Sequence, residues 1–175
     1  MLKVTLDTNC IINHFDADSP SRTSVDPLDA LFDLHEQKRI ELAITTRVET
    51  DLSRDKDHSR RDRMLARCST VPTIGAVGEW DISKWDGDIW GSEASARLRN
   101  CVQSVLWPSL STATARYENK RNDISHLVAH RIHERDIFVT DEKDLLKKYK
   151  ALKSLCEIVV MSPQVCIDVI GRSAD

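Results

Sequence analysis

Five acidic residues in this 175-residue chain lie where apolar segments give way to polar ones: Asp7, Glu49, Asp123 and the neighbours Asp141 and Glu142. Carboxylates gathered within a few ångströms repel one another unless protons or cations come between them, and such hard oxygen donors suit Mg²⁺ or Mn²⁺. Magnesium keeps several of its waters and is usually held by one or two carboxylates together with substrate phosphates. A pocket built from acids alone therefore points to phosphoryl chemistry on a polyanion. Two such cations would activate an attacking water and stabilise the leaving oxygen of an in-line displacement, which is phosphodiester hydrolysis. Asp7, Glu49, Asp123 and Asp141 form the candidate catalytic set, and Glu142 joins them as a candidate metal ligand.

The elements around these acids can be read from periodicity. Residues 2–6 alternate as a first strand that ends at Asp7-Thr8-Asn9, and 40–44 reads as a second strand. Thr46 and Glu49 have the spacing of a capping box on the helix that follows. The run Ile137-Phe138-Val139-Thr140 has the continuous apolar character of a strand buried on both faces, and 157–161 reads as another strand. Helical spacing appears at 27–38, 54–67, 94–106, 118–135 and 144–155. Ser162-Pro163 then opens a last helix to about residue 170. A further strand is expected within 71–82. Strands alternating with helices imply one α/β domain with a mostly parallel sheet. In such sheets ligands bind at the carboxyl ends of the strands, where Asp7 and Asp141 stand, and where Glu49 and Asp123 can reach.

Composition sets the broad class. Hydrophobic residues at 41%, charged residues at 30% and a mean hydropathy of −0.38 describe an ordinary water-soluble domain without a membrane span. Asp7 stands where a signal peptide would need apolar residues, so a cytoplasmic location is expected. Five cysteines at wide spacings, with no C-x-x-C pair, fit a reducing compartment better than a disulfide framework. The net charge of −3 means that any contact with a polyanion depends on local patches.

Four segments, taken in order, resemble the successive motifs of PIN-domain proteins: L-D-T-N at Leu6 to Asn9, T-x-x-E at Thr46 to Glu49, N-D-I-S-H-L at Asn122 to Leu127, and F-V-T-D-E-K-D-L at Phe138 to Leu145. The resemblance spans roughly residues 2–161. It implies a three-layer α/β/α fold with a mostly parallel central sheet, and Mg²⁺- or Mn²⁺-dependent endonuclease cleavage of single-stranded RNA. It also implies a toxin of a toxin-antitoxin pair, with an antitoxin protein as partner, and frequent homodimers. In many relatives the last motif reads Thr, any residue, Asp, which aligns Glu142 rather than Asp141 with the fourth acid. The stretch 80–115 exceeds the compact toxins and reads as a subfamily insertion.

Each acid also has a local explanation. Asp7 fits turn chemistry, Glu49 a capping box, and Asp123, Asp141, Glu142 and Asp144 favourable positions in the helix dipole. Thr8, Asn9, Thr46, Ser125 and Thr140 are short polar neighbours able to orient carboxylates. His126, His130 and His133 recur at spacings that could share one zinc ion or simply flank an apolar stripe. Trp80, Trp85, Trp90 and Trp107 could stack bases or fill a core. Arg54, Lys56, Arg60, Arg61, Arg63 and Arg67, with Arg47 nearer the acids, could grip phosphates or cover a solvated helix. Two other functional classes fit part of the pattern: a non-catalytic RNA-binding module with a vestigial acidic site, and a haloacid-dehalogenase-type phosphatase. The latter wants a second Asp where Asn9 stands.

Overall fold

The alternating segment at the N-terminus forms β1 (Leu2–Leu6), and Asp7 turns the chain into α1 (Thr8–Phe15). There follow α2 (Val25–Glu36), β2 (Ile40–Thr45), α3 (Arg47–Leu52), α4 (His58–Cys68) and β3 (Thr73–Ile74). The second half contributes α5 (Glu93–Leu106), α6 (Tyr117–Ile132), β4 (Ile137–Val139), α7 (Lys143–Lys147), α8 (Tyr149–Cys156), β5 (Val160–Met161) and α9 (Pro163–Arg172). The structure, a computed structural model, describes residues 1–16, 25–78 and 87–172.

All strand pairings are parallel, and the sheet order is β3-β2-β1-β4-β5. The order runs outward in both directions from β1. The switch point therefore lies between β1 and β4, whose carboxyl ends release Asp7 and the 140–142 segment side by side. Val4, Leu6, Leu42, Ile137 and Val139 pack one face of the sheet against Ile11, Leu28, Leu31 and Cys166 of α1, α2 and α9. Phe138 and Val160 meet Val102, Ile124, Leu127 and Leu152 of α5, α6 and α8 on the other. The result is a three-layer α/β/α sandwich.

Strand alternation also turns two threonines toward α6, where they hold two of its histidines. The fully buried hydroxyl of Thr5 lies 3.0 Å from His130 Nδ1, and that of Thr45 lies 2.6 Å from His126 Nδ1. Burial among Arg135 and Arg131 lowers the His130 pKa to about 3, which leaves the ring neutral.

Several local expectations change. Thr46 has helical backbone angles and makes no side-chain cap, so the Thr46–Glu49 capping box does not form. Its hydroxyl instead donates to Asp88 (2.6 Å) and accepts from the Ala76 amide (3.0 Å). Ser92 and Ser95 form a capping box at the start of α5. The helix expected at 54–67 starts only at His58, behind its cap Asp57. The helix expected at 144–155 is two, divided at Lys148, and of 157–161 only Val160–Met161 pairs as strand because Glu157 ends α8 in a left-handed conformation. The strand expected within 71–82 is Thr73–Ile74; residues 79–86 of that region, with Trp80 and Trp85, lie outside the described residues.

The segment from Gly87 docks on 75–78. Gly78 donates to the Ile89 carbonyl (2.8 Å) and Ile89 to that of Ala76 (2.8 Å), and Gly87 O lies 2.5 Å from where a Cβ on Gly75 would sit. Arg47, wholly buried at the first position of α3, clamps both sides. Its Nη2 donates to Val77 O (3.0 Å) and to Asp88 Oδ2 (2.8 Å). It is a structural tie between α3 and this segment, so the expectation that it approaches phosphates is corrected.

Candidate active site: an acidic cleft at the switch point

A cleft of about 430 Å³ opens at the carboxyl edge of the sheet. Asp7, Asp51, Asp123, Glu142 and Asp144 line it together with Arg54, Arg60, Arg116, Lys120 and Trp107. Asp7 comes from the end of β1, Asp51 from α3, Asp123 from the middle of α6, and Glu142 from the N-cap of α7.

Asp7 caps a helix, as its local reading has it, and also faces the cleft. Its Oδ1 caps α1 by accepting from the Thr8 amide (2.7 Å), and its Oδ2 accepts from the Thr140 hydroxyl (2.6 Å) and Asn9 Nδ2 (3.1 Å). The carboxyl is buried at 4% exposure, and that burial, reinforced by the Asp51 charge, raises its pKa despite the hydrogen bonds from Thr140 and Thr8 and the nearby His126. Asp123 differs in having no hydrogen-bond or ion-pair partner for its side chain among the described residues. Burial and the charges of Asp7, Asp51 and Glu142 push it up to about 8, with only His126 acting the other way.

The sequence reading missed Asp51. Its Oδ1 accepts from Asn122 Nδ2 (2.5 Å) and its Oδ2 from the Thr8 hydroxyl (2.8 Å), with His126 Nε2 3.0 Å away. Burial alone would raise its pKa, but hydrogen bonds from His126, Asn122 and Thr8 and the His126 charge bring it below the ordinary value. The effect on His126 is reciprocal. Burial disfavours the imidazolium, yet Asp51, Asp7 and Asp123 raise the His126 pKa. The acids thus draw one buried histidine toward its charged form.

Glu49 is not brought to the cleft. It is exposed and borders a separate depression with Leu65, Cys68, Ser69 and Thr73. Asp141 is turned aside as well: its Oδ2 accepts from Asn13 Nδ2 (2.8 Å), its amide donates to Asn9 Oδ1 (3.2 Å), and Glu142 is the one that faces the cleft. The three histidines of α6 point to different partners, His126 to Asp51, His130 to Thr5 and His133 to the Gly75 carbonyl (2.9 Å). They therefore do not share a zinc ion. Among the described residues, no three His, Cys, Asp or Glu side chains are drawn together as a ready-made metal-binding group.

Of the basic residues in 54–67, only Arg54 and Arg60 reach the cleft. Arg54 lies 3.6 Å from Asp51, and Arg60 pairs with Asp16 (2.7 Å) and Asp55 (3.2 Å). Arg67 is spent on the Phe15 carbonyl and ring. Trp90 is 89% exposed and borders a different groove, beside Leu155 and Arg97. No described helix is long and apolar enough to cross a membrane.

The sheet order and the flanking helices define a PIN-like fold. The chain superposes on the crystal structure of VapBC2 from Rickettsia felis bound to a DNA fragment from their promoter, with a TM-score of 0.54 over 92% of this chain and 98% of that one. Sequence identity is 13%, so the likeness is one of fold. No protein-family model matches the chain, and no curated protein does.

Proposed function

We propose that the protein is a metal-dependent endoribonuclease acting on single-stranded RNA. The observation that carries this reading is the meeting of Asp7, Asp51, Asp123 and Glu142 at the switch-point cleft, with the carboxyls of Asp7 and Asp123 both raised. Raised carboxyls in a cleft mark a deficit of positive charge, which a divalent cation is suited to fill. The donor set, all carboxylate oxygen, fits Mg²⁺ or Mn²⁺.

Asp7 and Asp123 are the principal ligands in this reading. Asp51 takes the part first assigned to Glu49, and Glu142 rather than Asp141 is the fourth acid. The bound cation would lower the pKa of a coordinated water and neutralise charge on the departing oxygen. The protein's own contribution is to hold the acids still: Thr140 and Asn9 fix Asp7, while Thr8, Asn122 and His126 fix Asp51. Asn9, which donates to Asp7, occupies the position where a haloacid-dehalogenase-type phosphatase would need its second acid. The VapBC2 structure is a complex on DNA, and the fold likeness supports an antitoxin-type protein partner and a toxin role for this chain; homodimerisation rests on the motif resemblance alone.

Purified protein should cleave single-stranded RNA with Mn²⁺, and Asp7→Asn should abolish the activity. An Asp7→Asn protein with full Mn²⁺-dependent cleavage would sink the reading. The alternative is a non-catalytic RNA-binding module with a vestigial acidic site. Calorimetric titration with Mn²⁺ separates the two, since a vestigial site takes up the ion weakly or not at all.

A further inference from the structure

We infer that Trp107, Lys120 and Arg116 form a subsite for an unpaired nucleotide next to the scissile phosphodiester, and that this subsite selects single strands over duplexes. The inference rests on the nuclease reading for the location of the reacting phosphate. Arg116 stands at the N-cap position of α6 in a left-handed conformation, Lys120 and Asp123 share a helix face at i and i+3, and all three line the cleft. At about 1.5 Å of rise per residue, Lys120 stands roughly 4.5 Å and Arg116 roughly 10 Å along the helix from Asp123. A strand whose reacting phosphate lies at Asp123 would carry its next phosphates along those cations.

Among the described residues Arg116 and Lys120 form no ion pair, in contrast to Arg54 and Arg60 on the same rim. The Lys120 ammonium instead lies 5.8 Å from the centroid of the Trp107 ring. Trp107, at the end of α5, packs partly against the core of α5, α6 and α8 and otherwise borders the cleft. The core contact holds the indole, and its remaining surface borders the cleft with Lys120 over the ring and Arg116 on the same lining. That combination is the chemistry of single-strand recognition: bases stack on aromatic rings whatever their identity, while cations track the backbone. Bases in an A-form duplex are already stacked and paired, so a duplex cannot use the indole. Trp90 lies on a separate groove with Arg97 and Arg131, but those two cations are ion-paired, to Glu93 and Glu157.

The test is fluorescence anisotropy of a labelled single-stranded RNA oligonucleotide, and of its duplex, titrated with the full chain in EDTA to suppress cleavage. Trp107→Ala should weaken single-strand binding by roughly 5- to 150-fold, with duplex binding unchanged, and Trp107→Phe should restore most of the loss. Lys120→Ala and Arg116→Ala should each flatten the slope of log K against log salt by about 0.7. Trp90→Ala should bind as the parent does. Equal affinity of Trp107→Ala and parent for the single strand, or an equal loss on single strand and duplex, overturns the subsite. Thermal melts of each variant identify any that fail to fold; if Trp107→Ala does, Lys120→Ala and Arg116→Ala carry the test, and an unchanged salt slope in both overturns the subsite. If Asp7→Asn abolishes cleavage while Trp107→Ala binds normally, the subsite alone is wrong. If Asp7→Asn still cleaves while Trp107→Ala loses single-strand binding, the metal-acid reading alone is wrong.

Discussion

Replacing Asp123 by Asn should make the cation-free protein more stable. In the folded chain this carboxyl titrates near 8, against an ordinary 3.8, because it is buried beside Asp7, Asp51 and Glu142. Between those two pH values the folded chain retains a proton that the unfolded chain has released. The folded state therefore binds more protons, and stability falls as pH rises through the window, levelling off below about 4 and above about 8. Each decade costs about 1.4 kcal/mol, so by pH 7 the carboxyl has cost at most about 4 kcal/mol. Water reaching the half-buried group screens part of this, and a gain of about 1–3 kcal/mol is expected for Asp123→Asn, which keeps the shape and cannot ionise. Urea unfolding in EDTA at pH 5, 7 and 8 measures it. The advantage should grow with pH, and millimolar Mn²⁺ should shrink it by stabilising the parent more than the variant. An Asn variant no more stable than the parent at pH 8, or an advantage independent of pH, would refute the electrostatic reasoning.

Further outcomes concern the neighbours. Asp51→Asn should reduce Mn²⁺-dependent RNA cleavage by roughly 10- to 100-fold while Glu49→Gln leaves it within about twofold, as initial rates on one oligonucleotide would show. The same assay should set Glu142→Ala well below Asp141→Ala. His126→Phe removes a hydrogen-bond partner from both Asp51 and Thr45, and should lower unfolding stability by about 2–4 kcal/mol as well as slowing cleavage. Arg47→Ala strands the buried Asp88 charge and should cost about 3–5 kcal/mol in urea unfolding, whereas replacing Arg47 and Asp88 together with apolar residues should cost much less.

The strand edges and the acids that follow them were legible because β1 alternates cleanly and β4 is a short apolar run ending in acids. The choice between Glu49 and Asp51 was not. The core side of α3 is set by Val48 and Leu52, and on a helical wheel Glu49 and Asp51 lie about 80° to either side of that stripe. Only the packing of α3 against α6 decides which side meets the cleft, and that contact is remote in sequence. Asp141 and Glu142 follow a strand as adjacent residues, so they leave it in opposed directions. Asn13 and Asn9 captured the first, and nothing local announces it. The histidines of α6 were misleading for a related reason. Their spacing suggests one helical face, but His126 meets Thr45 and Asp51, His130 meets Thr5 and His133 the Gly75 carbonyl, pairings with remote elements that no local pattern announces.

Residues 76–78 and 87–89 are joined by their own backbone hydrogen bonds, and Arg47 ties Val77 and Asp88 to the helix that carries Asp51. One guanidinium therefore fastens both sides of that pairing to the first turn of α3. A change at Arg47 or Asp88 should be felt one helical turn on, at the carboxylate of Asp51, so the cleft can be disturbed by a residue that never touches it.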